Sequence, residues 1–192
     1  PAFGPCHGYT DDFEQFNPAS TSDYWEVDAN VTRQGAAGMR SVLATPDADD
    51  YAGLFTSVAE PASNCFVSIE SLGAQGDGFY ILQVLEGNDS GRMLLIQVSP
   101  GMVEADDITD ASGDGQMLGT AALDGDLRGM RIQLLPGSAV FEIEDASGWS
   151  TVATTTSPPA WLAHPVKFGF GYRGFAGGVP AVGFDSFNLD AP

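Results

Sequence analysis

Basic residues are scarce in this sequence. Its 192 residues include 7 Lys and Arg against 26 Asp and Glu, a formal net charge of −19, and Lys167 is the only lysine. A surface of this charge repels nucleic-acid phosphates and anionic lipids, so the composition excludes both as main partners. Two interpretations of the acidity stay open: it keeps the protein soluble, or it supplies oxygen ligands to a divalent cation such as calcium.

Long apolar runs and helical periodicity are also missing. No run approaches the roughly 18 residues of a membrane helix, so we expect no membrane insertion. No basic segment followed by an apolar one indicates a signal peptide. If the protein is exported, we expect the signal to have been removed or to lie outside this numbering. Short runs rich in β-branched and aromatic residues are separated instead by Gly, Asp, Asn and Pro. Clear examples are 65–72, 78–86, 91–99, 127–135, 138–145 and 149–156.

These runs predict an all-β fold. The 24 glycines and 12 prolines fall mostly between the runs, as in a protein with many turns. About a dozen strands without a helix indicate two packed antiparallel sheets in a jelly-roll sandwich. We therefore expect a single β-sandwich domain over residues 1–192.

Cysteine is limited to two residues, Cys6 and Cys65. There is no CxxC pair and no Cys/His cluster, which argues against a zinc site. Either the two thiols form a disulfide that ties the N-terminal segment to a strand, or both are buried and free. The acidity and the near absence of lysine favour export and a disulfide, and hence a secreted or cell-surface protein.

The two ends of the chain carry similar phrases, YTDDFEQFN at 9–17 and VGFDSFNLD at 182–190. Each places an aspartate beside a phenylalanine, with a second phenylalanine three residues after the first. The phenylalanine pairs are Phe13 with Phe16 and Phe184 with Phe187. This echo predicts that the N- and C-terminal strands lie side by side, antiparallel, in one sheet.

Four segments resemble concanavalin A-like lectin/glucanase domains, including their laminin G-like members. They are DDFEQFNPASTSDYWEV (11–27), FEIEDASGWSTVAT (141–154), PPAWLAHPVKFGFGYRG (158–174) and AVGFDSFNL (181–189). The resemblance implies the same jelly-roll sandwich and, as in many members, a structural calcium. Its ligands would come from the first strand at Asp12, a loop carbonyl near Gly35 and the carboxylate of Asp185. The alternative is that Asp185 only caps a turn or faces water.

A second candidate calcium site lies in the most acidic stretch, residues 104–126. This stretch has no basic residue, and its acids are Glu104, Asp106, Asp107, Asp110, Asp114, Asp124 and Asp126. Within DASGDG (110–115), Asp110, Ser112 and Asp114 match positions one, three and five of an EF-hand loop. The twelfth position is Ala121 instead of glutamate. The alternative is an ordinary Asp-Gly turn between strands.

Catalytic motifs are incomplete. The resemblance implies that an active glucanase would carry Glu-x-Asp-x-x-Glu along one strand. Glu142 and Glu144 share a strand face in the nearest match, but the third acid is missing. We interpret these two glutamates as a solvated face. The two histidines, His7 and His164, accompany no nucleophile motif, and we interpret them as surface or packing residues.

Aromatic residues offer the remaining route to a function. Trp25, Trp149 and Trp161 each start a strand or follow a turn, where packing is a commoner role than stacking on a sugar. The candidates for lining a ligand-binding face are Tyr51, Tyr80 and Tyr172. By analogy of fold, the sequence predicts a non-catalytic carbohydrate-binding module. The alternatives are a structural or adhesive module that binds a surface protein or assembles with itself and, third, a glycoside hydrolase.

Overall fold

Two packed β-sheets form the body of the protein. The computed structural model describes residues 3–15, 24–27, 30–34, 41–44, 51–72, 78–88, 90–174 and 182–189. The strands in these ranges are β1 (Gly4–Pro5), β2 (Trp25–Val27), β3 (Val31–Gln34), β4 (Ser41–Ala44), β5 (Tyr51–Thr56), β6 (Cys65–Leu72), β7 (Gly78–Glu86), β8 (Met93–Ser99), β9 (Met102–Ile108), β10 (Gly115–Ala122), β11 (Gly129–Leu135), β12 (Ser138–Asp145), β13 (Gly148–Thr155), β14 (Val166–Gly174) and β15 (Val182–Asp185). Short 3₁₀ helices span Cys6–Gly8 and Ala160–Ala163. No helix in the described ranges is long and apolar enough to cross a membrane.

The strands divide into an eight-stranded and a seven-stranded sheet. The larger sheet has the order β13, β12, β11, β6, β15, β4, β3, with β1 also paired to β6. The smaller sheet has the order β10, β9, β8, β7, β14, β5, β2. Neighbouring strands are antiparallel except for the two-residue β1, which runs parallel to β6. The predicted all-β, two-sheet jelly-roll sandwich is confirmed.

The core lies between the two sheets. Successive side chains of a strand point to opposite sides of its sheet. In β7, Leu82 and Val84 therefore point inward and are fully buried, and Ile132 and Phe141 from the other sheet are equally buried. Apolar burial of this kind contributes about 25 cal/mol per Å² and is the main stabilising term. The opposite side of each sheet faces outward and is available to carry a site.

The two ends of the chain meet at a single point. Asp11 and Phe187 form one antiparallel bridge, with N–O distances of 3.0 and 2.9 Å. Within the described residues this bridge replaces the predicted strand ladder, because β15 pairs with β4 and β6 instead. The chain also leaves the extended conformation at Phe13, whose φ is 56°. Phe16 lies outside the described residues.

The echoed phenylalanines share an aromatic cluster and not a strand pair. Phe13 and Phe187 are fully buried, and their ring centroids lie 6.3 and 4.8 Å from that of Trp25. Asp11 holds this cluster together. Its carboxylate accepts hydrogen bonds from Trp25 Nε1 at 2.8 Å and from the Phe13 amide at 2.7 Å.

Cys6 and Cys65 form a disulfide, as predicted, with their Cα atoms 4.9 Å apart. The bond ties the segment after β1 to the first residue of β6. A cross-link across 59 positions stabilises the fold by about 4 kcal/mol in the chain-entropy model. The alternative of two free thiols is wrong, since the structure contains no free cysteine.

Candidate functional site

The outward side of the seven-stranded sheet, called the outer face below, gathers aromatic, amide and carboxylate side chains. Strand register aligns them in two rows. The first row is Phe55, Gly169, Gln83, Leu95 and Asp106, and the second is Gly53, Gly171, Ile81, Gln97 and Glu104. Each row runs across β5, β14, β7, β8 and β9. Because adjacent strands lie about 4.8 Å apart, the rows extend roughly 19 Å over the sheet.

Two aromatic rings rest directly on glycine backbone at one end of the rows. A Cβ built on Gly169 would lie 2.6 Å from Phe55 Cδ1. Cβ atoms on Gly53 and Gly171 would lie 2.5 and 2.6 Å from the phenol oxygen of Tyr51. The absence of side chains at these glycines therefore lets both rings pack directly against the sheet backbone. The ring centroids are 5.6 Å apart, and we call the two rings the aromatic platform.

The platform is partly accessible and is fixed from below. Tyr51 and Phe55 are both half-buried, so part of each ring faces outward. Gln83, at 6% exposure, donates its Nε2 hydrogen to the Tyr51 hydroxyl over 3.4 Å. The amide therefore restrains the phenol end of the ring.

Two carboxylates share one amide donor at the other end of the rows. Gln97 Nε2 donates to Glu104 Oε2 at 2.8 Å and to Asp106 Oδ2 at 3.3 Å. Because both oxygens contact the same nitrogen, they are at most about 6 Å apart. We call Glu104 and Asp106 the acid pair.

Burial, and then the charge of Glu104, raise the pKa of Asp106 above its usual value, while the Gln97 hydrogen bond opposes this shift. No basic side chain in the described part of the chain forms an ion pair with either carboxylate. A ligand lying along the rows would thus contact the rings at one end, the amides in the middle and the acid pair at the other end.

Basic residues lie on the margins of this face. Lys167 pairs with Glu26 at 3.1 Å, next to the platform on the β2 side. Arg173 is exposed and lies beside Tyr51 in the strand register. The middle of the outer face, between the platform and the acid pair, is lined by Ile81, Leu95 and the two amides.

Of the three predicted ligand-binding tyrosines, only Tyr51 lies on the outer face. Tyr80 and Tyr172 are fully buried in the core, with ring centroids 5.1 Å apart. Their prediction as lining residues is wrong, because strand alternation turns positions 80 and 172 to the inner side of β7 and β14.

The tryptophans follow the packing interpretation. Trp25 and Trp161 are 1% and 5% exposed. Trp149 is half-buried on the outward side of the eight-stranded sheet, where the Arg131 guanidinium lies 4.2 Å from its ring centroid. Arg131 also binds Glu142 at 2.8 Å, so this predicted solvated glutamate belongs to a network that covers part of the indole.

The first predicted calcium site falls partly within the described residues. Asp185 is half-buried, and burial raises its pKa, with further contributions from the charges of Glu70, Asp12 and Glu14. Gly35 lies outside the described residues. An all-oxygen, anionic environment suits calcium. Within the described ranges, however, no three His, Cys, Asp or Glu side chains are grouped to hold a metal.

The second predicted calcium site is a closed turn between β9 and β10. Asp110 accepts hydrogen bonds from the Ser112 amide, at 2.9 Å, and from the Ser112 hydroxyl, and these lower its pKa. The carbonyl of Asp114 accepts from Thr109 at 2.8 Å. This geometry is that of an Asx turn, in which the aspartate serves its own loop.

Neither histidine belongs to the two rows of the outer face, and both lie close to the start of β14. His7 contacts the Glu60 carbonyl at 3.2 Å, and Glu60 bridges to Val166 at the start of β14. His164 Nδ1 lies 2.7 Å from Glu86, beside a cavity of about 370 Å³. Hydrogen bonds from Ser90 and His164, with the charge of Arg92, lower the pKa of Glu86. The Glu86 carboxylate therefore already has hydrogen-bond donors within the protein.

Several residues of the outer face were not identified from sequence, although each left a signal. Phe55 follows Tyr51 by four positions, which places both rings on one side of a strand. Glycines alternate with Phe168, Phe170 and Tyr172 in β14, which indicates one side without side chains. Glu104 and Asp106 have strand spacing inside a stretch that we interpreted only as acidic.

Comparison with known proteins identifies the fold. No protein-family model and no curated protein sequence matches the chain. Among solved structures, Bacteroides ovatus xyloglucan PUL GH43B has a TM-score of 0.63 at 14% identity, covering 93% of this chain and 38% of that one. The CBM2 module of the Lactobacillus casei BL23 phage J-1 evolved Dit has a TM-score of 0.56 at 16% identity, covering 96% of both chains. A variant of alginate lyase A1-II′ has a TM-score of 0.52 at 13% identity, covering 87% of this chain and 82% of that one.

These likenesses support the sandwich architecture. Identities between 13% and 16% show the fold alone. The chain spans less than half the length of the first of these structures, so the activity of that whole protein does not carry over.

Proposed function

We propose that the outer face binds a carbohydrate, in a secreted or cell-surface protein. The observation that carries this proposal is the aromatic platform. Tyr51 and Phe55 present ring surface on a rigid sheet, with their ring planes inclined by 42°, and such surface suits the apolar C–H faces of pyranose rings. The rings are held by glycine backbone and by Gln83, so little conformational entropy is lost when a ligand binds.

The polar part of the face suits hydroxyl groups. Gln97, Glu104 and Asp106 offer amide and carboxylate oxygens, and carboxylates are strong acceptors for hydroxyl donors. The acid pair and the net charge of −19 favour a neutral glycan over a polyanionic one. The likeness to structures named for xyloglucan, a CBM2 module and alginate lyase supports a carbohydrate role through fold analogy.

Export and calcium belong to the same proposal. The disulfide between Cys6 and Cys65 is typical of oxidising, extracellular surroundings. A calcium ion beside Asp185 would neutralise the charge that Glu70, Asp12 and Glu14 place around it. Such an ion would act as a structural ligand, because Asp185 belongs to the eight-stranded sheet and not to the outer face.

A panel of immobilised polysaccharides tests this function. We expect binding to neutral polymers such as xyloglucan, xylan or β-glucan, and weaker binding to alginate or pectin. Tyr51→Ala and Phe55→Ala should each weaken binding about tenfold, which corresponds to about 1.4 kcal/mol. Trp149→Ala is the matched control, since that indole lies on the other sheet. Unchanged binding in both platform variants, or loss only in Trp149→Ala, would contradict the proposal.

A second candidate function is cleavage of the bound glycan at the acid pair. The raised pKa of Asp106 favours it as a proton donor, and Glu104 is the second carboxyl group beside it. Carboxyl groups about 5–5.5 Å apart are typical of retaining glycosidases, and about 6.5–9.5 Å of inverting ones. New reducing ends from a bound polysaccharide, lost in Asp106→Asn, would establish cleavage. Binding without product would leave the face as a binding site alone.

A further inference from the structure

The polar groups at the acid-pair end of the outer face accept hydrogen bonds and offer a ligand no donor. Gln97 Nε2 donates to Glu104 at 2.8 Å and to Asp106 at 3.3 Å, which uses both of its hydrogens. The remaining Gln97 atom, Oε1, is an acceptor, and ionised carboxylates only accept. A ligand that contacts this end of the face must therefore bring its own donors.

A buried amide at the platform end has an unused acceptor as well. Gln83 lies on the outward side of β7, yet only 6% of its surface is exposed. Its Nε2 donates to the Tyr51 hydroxyl, while its Oε1 accepts no hydrogen bond from the part of the chain that the structure describes. An acceptor with so little access to water gains free energy when a ligand donates to it. This oxygen indicates a donor-rich ligand independently of the acid pair.

The negative charge of the acid pair is not compensated. The described residues form four ion pairs, and neither Glu104 nor Asp106 takes part in them. Burial and the charge of Glu104 raise the pKa of Asp106, as expected where a second carboxylate lies close and a cation does not. A hydroxyl group would bring one hydrogen to this place. An ammonium group would bring a positive charge and three hydrogens, enough to donate to both carboxylates at once.

We infer that the glycan recognised by the outer face carries protonated amino groups, as a polymer of glucosamine does; this inference rests on the proposed carbohydrate function. One sugar ring packs on the aromatic platform, and the ammonium group of another lies between Glu104 and Asp106. The formal net charge of −19 attracts such a polycation and accelerates its encounter with the protein.

The distance between the two contacts requires a chain of sugars. The rings of the platform rest on the glycines of β14, and the acid pair lies on β9, three strands away in the order β14, β7, β8, β9. Three strand spacings amount to about 14 Å, more than one pyranose ring can span. Glucosamine itself should therefore bind weakly, and its oligomers tightly. A lysine-rich peptide would also satisfy the carboxylates, but its binding would not need the platform.

Three oligosaccharides with the same linkage and length test this inference in isothermal titration. They are the β-1,4-linked hexamers of glucosamine, N-acetylglucosamine and glucose, compared at about pH 6, where most of the free amino groups are protonated. The glucosamine hexamer should bind at least tenfold more tightly than the glucose hexamer. The acetylated hexamer should resemble the glucose hexamer, because acetylation removes the charge.

Variants locate the preference for the amino sugar. Asp106→Asn and Glu104→Gln each remove one charge and keep the shape of the side chain, and each should bring the ratio of the two dissociation constants close to one. Glu144→Gln removes the same charge from the outward side of the eight-stranded sheet and is the matched control, so it should keep the ratio. Tyr51→Ala should weaken the binding of both hexamers.

Equal affinities of the wild type for the glucosamine and glucose hexamers would overturn the inference and leave the proposed function standing. Absence of binding to all three hexamers would contradict both. An equal fall of the ratio in Glu144→Gln would overturn the inference, because net charge would then attract the polycation without a site. Hexalysine that binds as tightly as the glucosamine hexamer, with the same loss in Glu104→Gln, would also overturn it, since the face would then recognise cations without a sugar.

Discussion

Asp185 carries an electrostatic cost at the end of β15. Burial and the charges of Glu70, Asp12 and Glu14 raise its pKa, and the amide of Ser186 donates to it at 2.7 Å. An aspartate whose pKa is raised in the folded state disfavours folding at neutral pH, where it must be ionised. This cost is relieved as the pH falls through the folded pKa, or when a cation binds.

Calcium is expected to relieve that cost at neutral pH. Millimolar calcium should raise the melting temperature by a few degrees, since a ligand at a hundredfold excess over Kd contributes about 2.7 kcal/mol. Asp185→Asn should remove the calcium-dependent increment and raise the melting temperature in chelator. Asp110→Asn is the matched control for the second predicted site. An equal gain from magnesium, or from sodium chloride at matched ionic strength, would indicate screening without a site.

His7 should make the stability of the fold sensitive to mild acid. Its Nδ1 is buried without a hydrogen-bond partner among the described residues, and its ring centroid lies 4.6 Å from that of Phe168. Burial lowers its pKa below 6.5, opposed by the hydrogen bond to the Glu60 carbonyl and the Glu60 charge. The folded state therefore excludes a proton that the unfolded chain accepts.

Stability should consequently fall as the pH drops below about 6.5. The free energy of unfolding, measured in urea at pH 7.5 and 5.5, should decrease at the lower pH in the wild type. The decrease should be smaller in His7→Asn, since asparagine tolerates the left-handed φ of 57° at this position. His164→Asn is the control. It leaves the His7 imidazole in place, so the decrease in unfolding free energy at pH 5.5 should match that of the wild type. An undiminished loss in His7→Asn would assign the effect to carboxylates.

At the scale of elements, β5 and β14 build the platform together. Outward positions of β14 alternate with buried Phe168, Phe170 and Tyr172, and two of them, Gly169 and Gly171, are glycines. Their lack of side chains is what brings the β5 rings onto the sheet. The two glycines differ in what a methyl group would contact. At Gly169 the nearest atoms belong to the side chains of Phe55 and Gln83, whereas at Gly171 they include the Ala52 carbonyl.

Gly169→Ala should therefore displace the Phe55 ring with little loss of stability, while Gly171→Ala should destabilise the fold itself. We expect Gly169→Ala to weaken glycan binding several-fold in isothermal titration with the polysaccharide that the panel identifies. In a Phe55→Ala background the same substitution should have no further effect, which a double-mutant cycle measures. Additive losses in the cycle would mean that Gly169 acts on binding by another route.

The positions of the strands were largely predictable from the sequence. Which side of each strand faces the core was not. The runs 65–72, 78–86, 138–145 and 149–156 match β6, β7, β12 and β13 within a residue or so, because strands need β-branched residues between turns. The strands β9 and β10 were not predicted, because acidic and small residues obscure the alternation of apolar and polar residues there. Tyr51 and Tyr80 look alike in sequence. Only the register between distant strands decides that one ring lies outside and the other in the core.

On the scale of the whole molecule, the disulfide joins the N-terminal segment to the middle of the eight-stranded sheet. Cys6 is fully buried, and β1 adds only two residues to the sheet, so the bond provides most of that attachment. The Cys6→Ser/Cys65→Ser variant should lose about 2–5 kcal/mol of unfolding free energy in urea titrations. Glycan binding should persist where the variant is folded, because neither cysteine reaches the outer face. A loss below about 1 kcal/mol would mean that β1 and the aromatic cluster hold the segment without the bond.

The molecule as a whole presents a sandwich whose charge is distributed unevenly. Acids concentrate in residues 104–126, on β9 and the turns around β10, while the two rings of the platform lie at the other end of the outer face. Length and composition could predict the acidity and the sandwich, but not this distribution. The position of a charge depends on which side of a strand its residue occupies.

Amide chemical-shift mapping tests the central claim most directly. A ¹⁵N-labelled sample is titrated with neutral xyloglucan-derived oligosaccharides and, in parallel, with alginate oligosaccharides. The account predicts that the neutral sugars shift amides of β5, β14, β7 and β8 around Phe55, Gly169, Gln83 and Gln97, with the strongest changes at the platform, and that alginate has a weaker effect. Shifts confined to β11, β12 and β13 around Trp149, or to the cavity beside His164, would contradict the assignment of the outer face as the carbohydrate site.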